Sequence, residues 1–336
     1  MTIPCVLPGA VGAIARLATP AGMRLAHPNQ PAANAMAATD QTVERTSESP
    51  HLRVGERLRI LAAHREILAN LVRKELKVKY AASVLGAVWS LLNPLVYLGV
   101  FTFVAKVLGA GIPNYPVYLL SGLLAWNLFS ASMGPGARAV LDNANLVKKV
   151  AFAREILPMS AVGVGLVDFA LQSAVLLLYI VVSGYGLHLP ELALWPLAFV
   201  TLLVLTVALS LWFSAWNVRY RDVGHLLNIA LLVWFWATPI VYAEYQVQHL
   251  ASENDVGGAG ALALYFLNPM VAIVAGFHRA LYGTVTPIAG QDPVLFHESL
   301  AWVAGVVTIT LVVSLVGLRL AWGYFFNRSG DFAEEL

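Results

Sequence analysis

Six stretches of about 20 mostly apolar residues dominate this chain and limit the folds that are open to it. A helix needs about 20 such residues to cross the hydrocarbon core of a bilayer, and it satisfies its own backbone hydrogen bonds there. We therefore predict an all-α, polytopic membrane protein with six transmembrane helices. They are predicted at about residues 84–107, 116–140, 157–182, 192–216, 224–243 and 299–323.

The composition excludes several other classes of protein. Of the 336 residues, 59% are hydrophobic and only 12% are charged, whereas an average soluble domain has about 25% charged residues. So few charges cannot cover the surface of a soluble enzyme, and the chain is too apolar to be intrinsically disordered throughout. Because Cys5 is the only cysteine, an intrachain disulfide and a cysteine-based zinc site are also excluded.

Basic residues are distributed unevenly between the two sides of the predicted spans. Eleven of the 21 Lys and Arg residues precede residue 84. The segment between the second and third spans adds Lys148, Lys149 and Arg154, while the connections on the other side hold only Arg279. Since Lys and Arg concentrate in cytoplasmic loops, we predict that both termini are cytoplasmic.

The chain divides into regions by composition. Residues 1–53 are rich in Ala, Pro, Thr and Ser, have no apolar period, and are predicted to be a disordered tail. Residues 54–83 place apolar residues at helical spacing among Lys and Arg, which predicts an amphipathic helix on the cytoplasmic surface. The six-span domain follows over residues 84–323, and residues 324–336 form a predicted cytoplasmic tail.

A long segment, residues 244–298, separates the fifth and sixth predicted spans. It contains two short apolar stretches, Ala261–Leu267 and Met270–Leu281, joined by an Asn-Pro turn. Each is too short to span, so two external re-entrant or gate helices are predicted. They either close a pore or cap the outer ends of the spans. The gate candidates are Asn268, Pro269, His278 and Arg279.

Three polar residues stand out in apolar surroundings. Asp168 lies near the middle of the third predicted span, and an intramembrane carboxylate is a functional candidate. No basic residue in the spans is an evident partner, so we expect Asp168 to be protonated or hydrogen-bonded at a helix interface. His278 and Arg279 either supply polarity to a gate or form the wet side of an amphipathic segment, and the pattern favours the wet side.

Five segments together resemble the type-2 ABC exporter permeases for polysaccharides, O-antigens and teichoic acids. The first runs through L-K-V-K-Y and S-V-L-G-x-x-W to L-N-P-L, and the fourth begins N-V-R-Y-R-D. The resemblance covers roughly residues 55–330. The five segments are residues 71–104, 118–130, 143–160, 217–242 and 265–283.

The resemblance implies a homodimer in the bacterial cytoplasmic membrane with two ATPase subunits docked on its cytoplasmic face. The implied substrate is a polysaccharide linked to polyprenyl diphosphate. The chain has no G-x-x-x-x-G-K-[ST] loop, so ATP hydrolysis is expected in the separate subunits, which would bind ATP and Mg. We expect no catalytic residue, metal or cofactor in this chain, and no nucleic acid as partner.

The resemblance also assigns roles to residues on the cytoplasmic side. Asn145–Glu155 resembles a coupling helix that sits in a groove of the ATPase, and residues 217–223 form a weaker second contact. From the residues alone, both are also ordinary charged connections that set the topology. The ATPase-coupling candidates are Lys148, Lys149, Phe152, Arg154, Glu155, Arg219 and Arg221.

A hydroxyl-rich glycan and its diphosphate need different surroundings. Aromatic faces can pack against sugars, although Trp and Tyr also gather at membrane interfaces without that role. Lys and Arg suit a diphosphate, and they also attract anionic lipids in general. The channel-lining candidates are Phe101, Phe103, Trp126, Phe129, Trp234, Phe235, Trp236 and Tyr242. The headgroup candidates are Arg73, Lys74, Lys77 and Lys79.

Glycan export has three alternatives. A type-2 ABC permease for a drug or lipid would share the span plan and is the main alternative. A secondary transporter would show internal repeats and paired intramembrane charges. A membrane glycosyltransferase would show clustered acids and histidines, whereas the external acids here are scattered.

Overall fold

The computed structural model describes residues 59, 63–81, 86, 88–108, 112–150, 152–187, 189–253, 258–283, 294–296 and 298–336. Within these ranges all regular secondary structure is α-helical, which confirms the predicted all-α class. The predicted disordered tail, residues 1–53, lies outside the described residues, as do residues 54–58 of the predicted amphipathic helix.

The described chain forms thirteen helices. The first part of the chain forms α1 Arg65–Tyr80, α2 Val88–Leu108, α3 Tyr115–Asp142, α4 Ala144–Lys149 and α5 Ile156–Ser183. The middle forms α6 Leu189–Leu192, α7 Leu194–Arg219 and α8 Val223–Trp236. The last part forms α9 Glu244–Glu253, α10 Gly258–Phe266, α11 Pro269–Leu281, α12 Leu300–Ser329 and α13 Phe332–Glu335.

Four segments of the described chain are long and apolar enough to cross a membrane: α3, α5, α6 with α7, and α12. One predicted span is shorter in the structure, because α8 has 14 residues where the sequence predicts a span over residues 224–243. At 1.5 Å per residue, α8 is about 21 Å long, less than the ~30 Å of a hydrocarbon core. The helix ends early because Pro239 cannot supply an amide hydrogen to continue it.

The helix α3 is the centre of the bundle. It packs against α5, α7, α8 and α11, and most of its side chains are buried. Glycines allow this close approach. A methyl group on Gly136 would overlap the Oγ atom of Ser210 on α7, and one on Gly165 of α5 would overlap the Oγ atom of Ser132 on α3. Small residues therefore set the spacing of these helices, as is common in membrane proteins.

A second, smaller core lies at the end of the bundle that carries Lys148 and Lys149, which we call the basic end. It joins the last turn of α3, α4, the start of α5 and the ends of α7 and α12. The turn α13 packs on α4, with Phe332 buried and its ring centroid 5.3 Å from that of Phe325. The short helix α4 is thus held from inside by Val147 and from the side by α13.

Candidate functional site

A buried ion pair joins α1 to the middle of α5. The Nζ atom of Lys79 lies 2.6 Å from Oδ2 of Asp168, and the hydroxyl of Tyr80 donates to Oδ1 over 2.9 Å. The Asp168 side chain is 8% exposed and that of Lys79 is 41% exposed. Sequence reasoning singled out Asp168 but found no base in the spans. Its partner comes from the end of α1, which runs along α5 rather than apart from it.

The local packing explains how α1 reaches this depth. Leu71 is buried in the second core, and Val72 lies so close to Gly163 of α5 that a methyl group there would overlap its Cγ2 atom. From that contact, α1 rises beside α5 until Lys79 meets Asp168. The glycine on α5 therefore permits the contact that brings the base and the carboxylate together.

The other headgroup candidates do not share the position of Lys79. Lys74 donates to Oδ1 of Asn143 over 3.1 Å and lies 3.5 Å from Glu75. Arg73 and Lys77 have exposed side chains, and Lys77 shares the last turn of α1 with Lys79. Lys79 differs from the other three bases of α1 because its Nζ atom pairs with Asp168 of α5.

Six of the eight aromatic candidates form one group, which we call the aromatic cluster. Ring centroids of Phe129 and Trp234 are 5.0 Å apart, and those of Trp126 and Phe235 are 5.5 Å apart. Phe103 lies outside the cluster and is 69% exposed. Tyr242 adjoins it through a hydroxyl that donates to the Trp236 carbonyl. The cluster consists of Phe101, Trp126, Phe129, Trp234, Phe235 and Trp236.

Burial divides the aromatic cluster into two parts. Trp126 and Phe129 belong to the main core, where they pack against α8. Trp236 is 55% exposed, and Phe101 is half-buried. The edge of the cluster at Trp236 is therefore the most open to another molecule, whereas the buried rings of Trp126 and Phe129 hold the helices together instead of lining a surface.

Asn268 connects the end of α8 to the start of α11. Its Oδ1 atom accepts from the Trp234 indole over 2.6 Å and from the Met270 amide over 3.0 Å, which caps α11. Its Nδ2 atom donates to the Ala237 carbonyl over 3.1 Å. Pro269 occupies the first position of α11, where its missing amide hydrogen is not needed. The Asn-Pro pair therefore begins α11 and also fixes it to α8.

His278 and Arg279 are buried and paired with acids from other parts of the chain. His278 is fully buried, its Nδ1 atom lies 2.8 Å from Oε1 of Glu244, and its ring stacks on Tyr118 with centroids 4.0 Å apart. The Nε atom of Arg279 lies 3.3 Å from Oε1 of Glu191. The prediction that these residues form the wet side of an amphipathic helix is therefore wrong, because α11 packs against α3, α7 and α12.

Tyrosine hydroxyls hold the connections around α11, and sequence reasoning missed them. Tyr118 donates to the Tyr242 carbonyl over 2.6 Å, and Tyr282 donates to the Pro113 carbonyl over 2.8 Å. Burial raises the pKa of Tyr282, and burial together with the charge of Glu191 raises the pKa of Tyr185. Both phenols remain protonated donors at neutral pH. No spacing rule links such residues to carbonyls so distant in the chain.

The coupling candidates at the basic end are not equally exposed. Lys148 and Lys149 on α4 are exposed, as are Arg219 and Arg221 in the turn before α8. The remaining three follow α4 and are partly or fully buried. Phe152 packs against the second core, Arg154 is half-buried, and the Glu155 carboxylate accepts a hydrogen bond of 3.3 Å from the Trp322 indole.

Asn217 organises the turn that carries the two exposed arginines. It is buried, its Nδ2 atom donates to the Ala137 carbonyl over 3.1 Å, and its Oδ1 atom accepts from the Gly224 amide over 3.2 Å. One side chain thus links α3, α7 and α8. Sequence reasoning noticed the segment but gave Asn217 no role, although a polar residue at the end of an apolar span was the available signal.

A comparison with protein families gives a match to residues 67–250, and the matched family is described as ABC-2 type transporter. The chain belongs to this family. The matched region runs from α1 into α9, so it includes the Lys79–Asp168 ion pair and the aromatic cluster. The chain is thus a multi-pass membrane permease, a transport component of the ABC-2 type.

Curated relatives agree with the family. The permease is 33% identical over 285 residues to a Myxococcus xanthus protein named O-antigen export system permease protein RfbA, covering 83% of this chain and 98% of that protein. It is 33% identical over 180 residues to a Klebsiella pneumoniae protein of the same name, covering 53% of this chain and 70% of that protein. Among the described residues of the permease, no group of three or more His, Cys, Asp and Glu side chains could hold a metal ion.

Proposed function

We propose that this chain is the transmembrane permease subunit of an ABC exporter that moves a polysaccharide, linked to polyprenyl diphosphate, across the bacterial cytoplasmic membrane. One observation carries the proposal: the similarity to the Myxococcus xanthus O-antigen export permease extends over nearly the whole of that protein. A match of that extent covers the helices, their connections and the segment around α11. It is broader than a match to one shared motif.

The proposal includes six spans with both termini in the cytoplasm, a homodimer, and two ATPase subunits that bind ATP and Mg. Four segments of the described chain meet the requirements of length and apolarity together, and α2 and α8 would be the remaining two spans. The irregular segment after α8 supports this count, because Thr238, Pro239 and Ile240 are buried in protein. Non-helical backbone is tolerated at membrane depth when protein surrounds it.

The basic end would bind the ATPase subunits. Lys148 and Lys149 on α4 and Arg219 and Arg221 in the neighbouring turn present exposed positive charge. The helix α4 rests on the second core and on α13, so a push from the ATPase would reach the bundle through packed side chains. Phe152, Arg154 and Glu155 would hold the following segment, a role consistent with their burial.

The diphosphate of the substrate would meet the bases of α1. Arg73, Lys74, Lys77 and Lys79 lie on the second half of this helix, where a headgroup from the inner leaflet would arrive, and Lys79 also contacts Asp168 of α5. Ammonium and guanidinium groups form strong, charge-assisted hydrogen bonds with phosphate oxygens. The sugar chain would pass the open edge of the aromatic cluster at Phe101 and Trp236, where ring faces can pack against sugar rings.

The segment around α11 would close the outer side, with movement confined to α10. Hydrogen bonds and ion pairs hold α11 against its neighbours, so α11 would stay in place while the gate moves. The residues at this helix are Asn268, Pro269, His278 and Arg279. The side chains of Leu264 and Leu267, in contrast, are 69% and 75% exposed. A gate made from α10 would move without breaking the buried ion pairs.

Depletion of the protein in its native host tests the proposal. Lipid-linked glycans are then extracted and analysed, with accessibility to a membrane-impermeant glycan-binding protein reporting the leaflet. Accumulation of one polyprenyl-diphosphate glycan on the inner leaflet is expected, and that glycan identifies the substrate. Depletion of an unrelated ABC permease serves as the control. If no glycan accumulates, export of a drug or lipid becomes the better account.

A further inference from the structure

The Lys79–Asp168 pair has a combination of properties that a purely structural ion pair does not need. Asp168 lies 12 positions after the start of α5, so it is about 18 Å along that 28-residue helix and has apolar residues on both sides of it in the chain. A lone charge beside such an apolar segment is disfavoured. Pairing with Asp168 neutralises Lys79 and makes its position tolerable.

Lys79 remains partly open in spite of this pairing. Its side chain is 41% exposed, and an ammonium group has three hydrogens to donate, of which the contact with Oδ2 of Asp168 uses one. Asp168 itself is almost fully buried. An incoming ligand therefore reaches the base and not the carboxylate.

Tyr80 makes it feasible to change the partner of Lys79. Its hydroxyl donates to Oδ1 of Asp168, while Lys79 occupies Oδ2. If Lys79 turns toward another anion, the carboxylate keeps this hydrogen bond and is not left without a donor in an apolar region. Removing one partner from a buried pair is otherwise strongly destabilising.

We propose that Asp168 is a resting counter-ion from which Lys79 is drawn away by the diphosphate of the substrate, and that Tyr80 holds the carboxylate during this exchange. A diphosphate carries more negative charge than a single carboxylate and offers more acceptor oxygens, so it competes for the ammonium group. Asp168 is a positioning residue that does not touch the substrate. This inference rests on the proposed function, because it requires a lipid diphosphate as ligand.

A direct binding assay measures how the substrate diphosphate and the Asp168 carboxylate compete for Lys79. The full-length protein in phosphatidylcholine nanodiscs is titrated with radiolabelled undecaprenyl diphosphate, once alone and once with an excess of inorganic diphosphate in solution. Asp168→Asn keeps the shape of the side chain but removes its charge, so half-saturation is expected at an about fivefold lower concentration. Asp142→Asn changes an exposed acid near Arg138 and is expected to leave binding unchanged.

The titration has outcomes that contradict the inference. Equal or weaker binding by Asp168→Asn, with clear binding by the wild type, overturns the counter-ion role alone. Failure of the wild type to bind the probe overturns this inference and the headgroup part of the proposed function together. Displacement of the probe by inorganic diphosphate shows that the phosphate groups are recognised without the lipid, whereas persistence of the probe shows that the lipid chain is required.

Reversing the charges of Lys79 and Asp168 distinguishes an ion pair that exchanges its partner from one that only stabilises the fold. Lys79→Asp places two carboxylates together and is expected to lower the thermal midpoint. Adding Asp168→Lys restores opposite charges and is expected to restore the midpoint without restoring binding, since the base now projects from α5. Recovery of wild-type binding in the double variant would overturn the proposal. Tyr80→Phe is expected to raise the half-saturating concentration, because the variant removes one hydrogen-bond donor from the carboxylate that Lys79 leaves.

Discussion

Replacing Asn268 should show how strongly α11 is fixed to α8. In Asn268→Ala, the α11 cap on Met270 is lost, which costs about 1 kcal/mol in typical helices. The bonds with Trp234, with the Ala237 carbonyl and with the Thr238 hydroxyl are lost as well, at about 1 kcal/mol each. We therefore expect the free energy of unfolding to fall by about 4 kcal/mol.

A conservative variant of Asn268 separates the contribution of its acceptor atom, Oδ1, from that of its donor atom, Nδ2. Asn268→Asp keeps an oxygen for the Met270 amide and the Trp234 indole and loses only the two donations from Nδ2, to the Ala237 carbonyl and the Thr238 hydroxyl, so a fall of about 2 kcal/mol is expected. Combining Asn268→Ala with Trp234→Phe should cost less than the sum of the single changes, because both remove the same hydrogen bond.

The proteins are unfolded in mixed micelles by increasing the proportion of dodecyl sulfate. Unfolding is monitored by far-ultraviolet circular dichroism, because this signal, unlike fluorescence, does not depend on Trp234. The expected order of stability is wild type, then Asn268→Asp, then Asn268→Ala. Equal stability of the two Asn268 variants, or additive effects with Trp234→Phe, would refute the assignment of Oδ1 as the joint between α8 and α11.

Three further predictions concern the helix contacts and the basic end. A double variant, Lys148→Ala with Lys149→Ala, should keep the thermal midpoint of the protein. It should abolish substrate-stimulated ATP hydrolysis by the reconstituted complex. Unchanged stimulation would show that α4 does not contribute to coupling. Gly136→Ala should cost about 1–3 kcal/mol by overpacking, whereas Gly317→Ala, which faces open space, should cost nothing in the same micelle titration. Asn217→Ala should cost about 2 kcal/mol through two lost hydrogen bonds, and a neutral result would show that the turn is held by other contacts.

Sequence periodicity was sufficient for the long helices. The spans predicted at 116–140 and 157–182 correspond to Tyr115–Asp142 and Ile156–Ser183, because the length of an apolar run nearly determines the length of a buried helix. The fifth span was harder. Its apolar run continues to residue 243, but the helix ends at Trp236, and apolarity alone does not distinguish helical from irregular backbone.

The polar pairs of the candidate site could not be predicted from the sequence. Asp168 and Lys79 are 89 positions apart, and His278 and Glu244 are 34 positions apart. Helical spacing relates residues three or four positions apart, and only tertiary contacts, such as the packing of α1 on α5, bring these pairs together. The aromatic candidates show the same limit, because all eight were predicted to line a channel and the structure buries Trp126 and Phe129 in the main core.

The enclosed position of α3 has a consequence for recognising related proteins. Of the four long helices, α3 is the most buried and also the least apolar. A helix surrounded by protein is free to use Gly, Ser and Asn, whereas a helix in contact with lipid must keep apolar side chains on its surface. Divergence will therefore erode the hydropathy signal of α3 before that of α12. In distant members of the family, a scan for apolar segments will lose the central helix first and report one span too few.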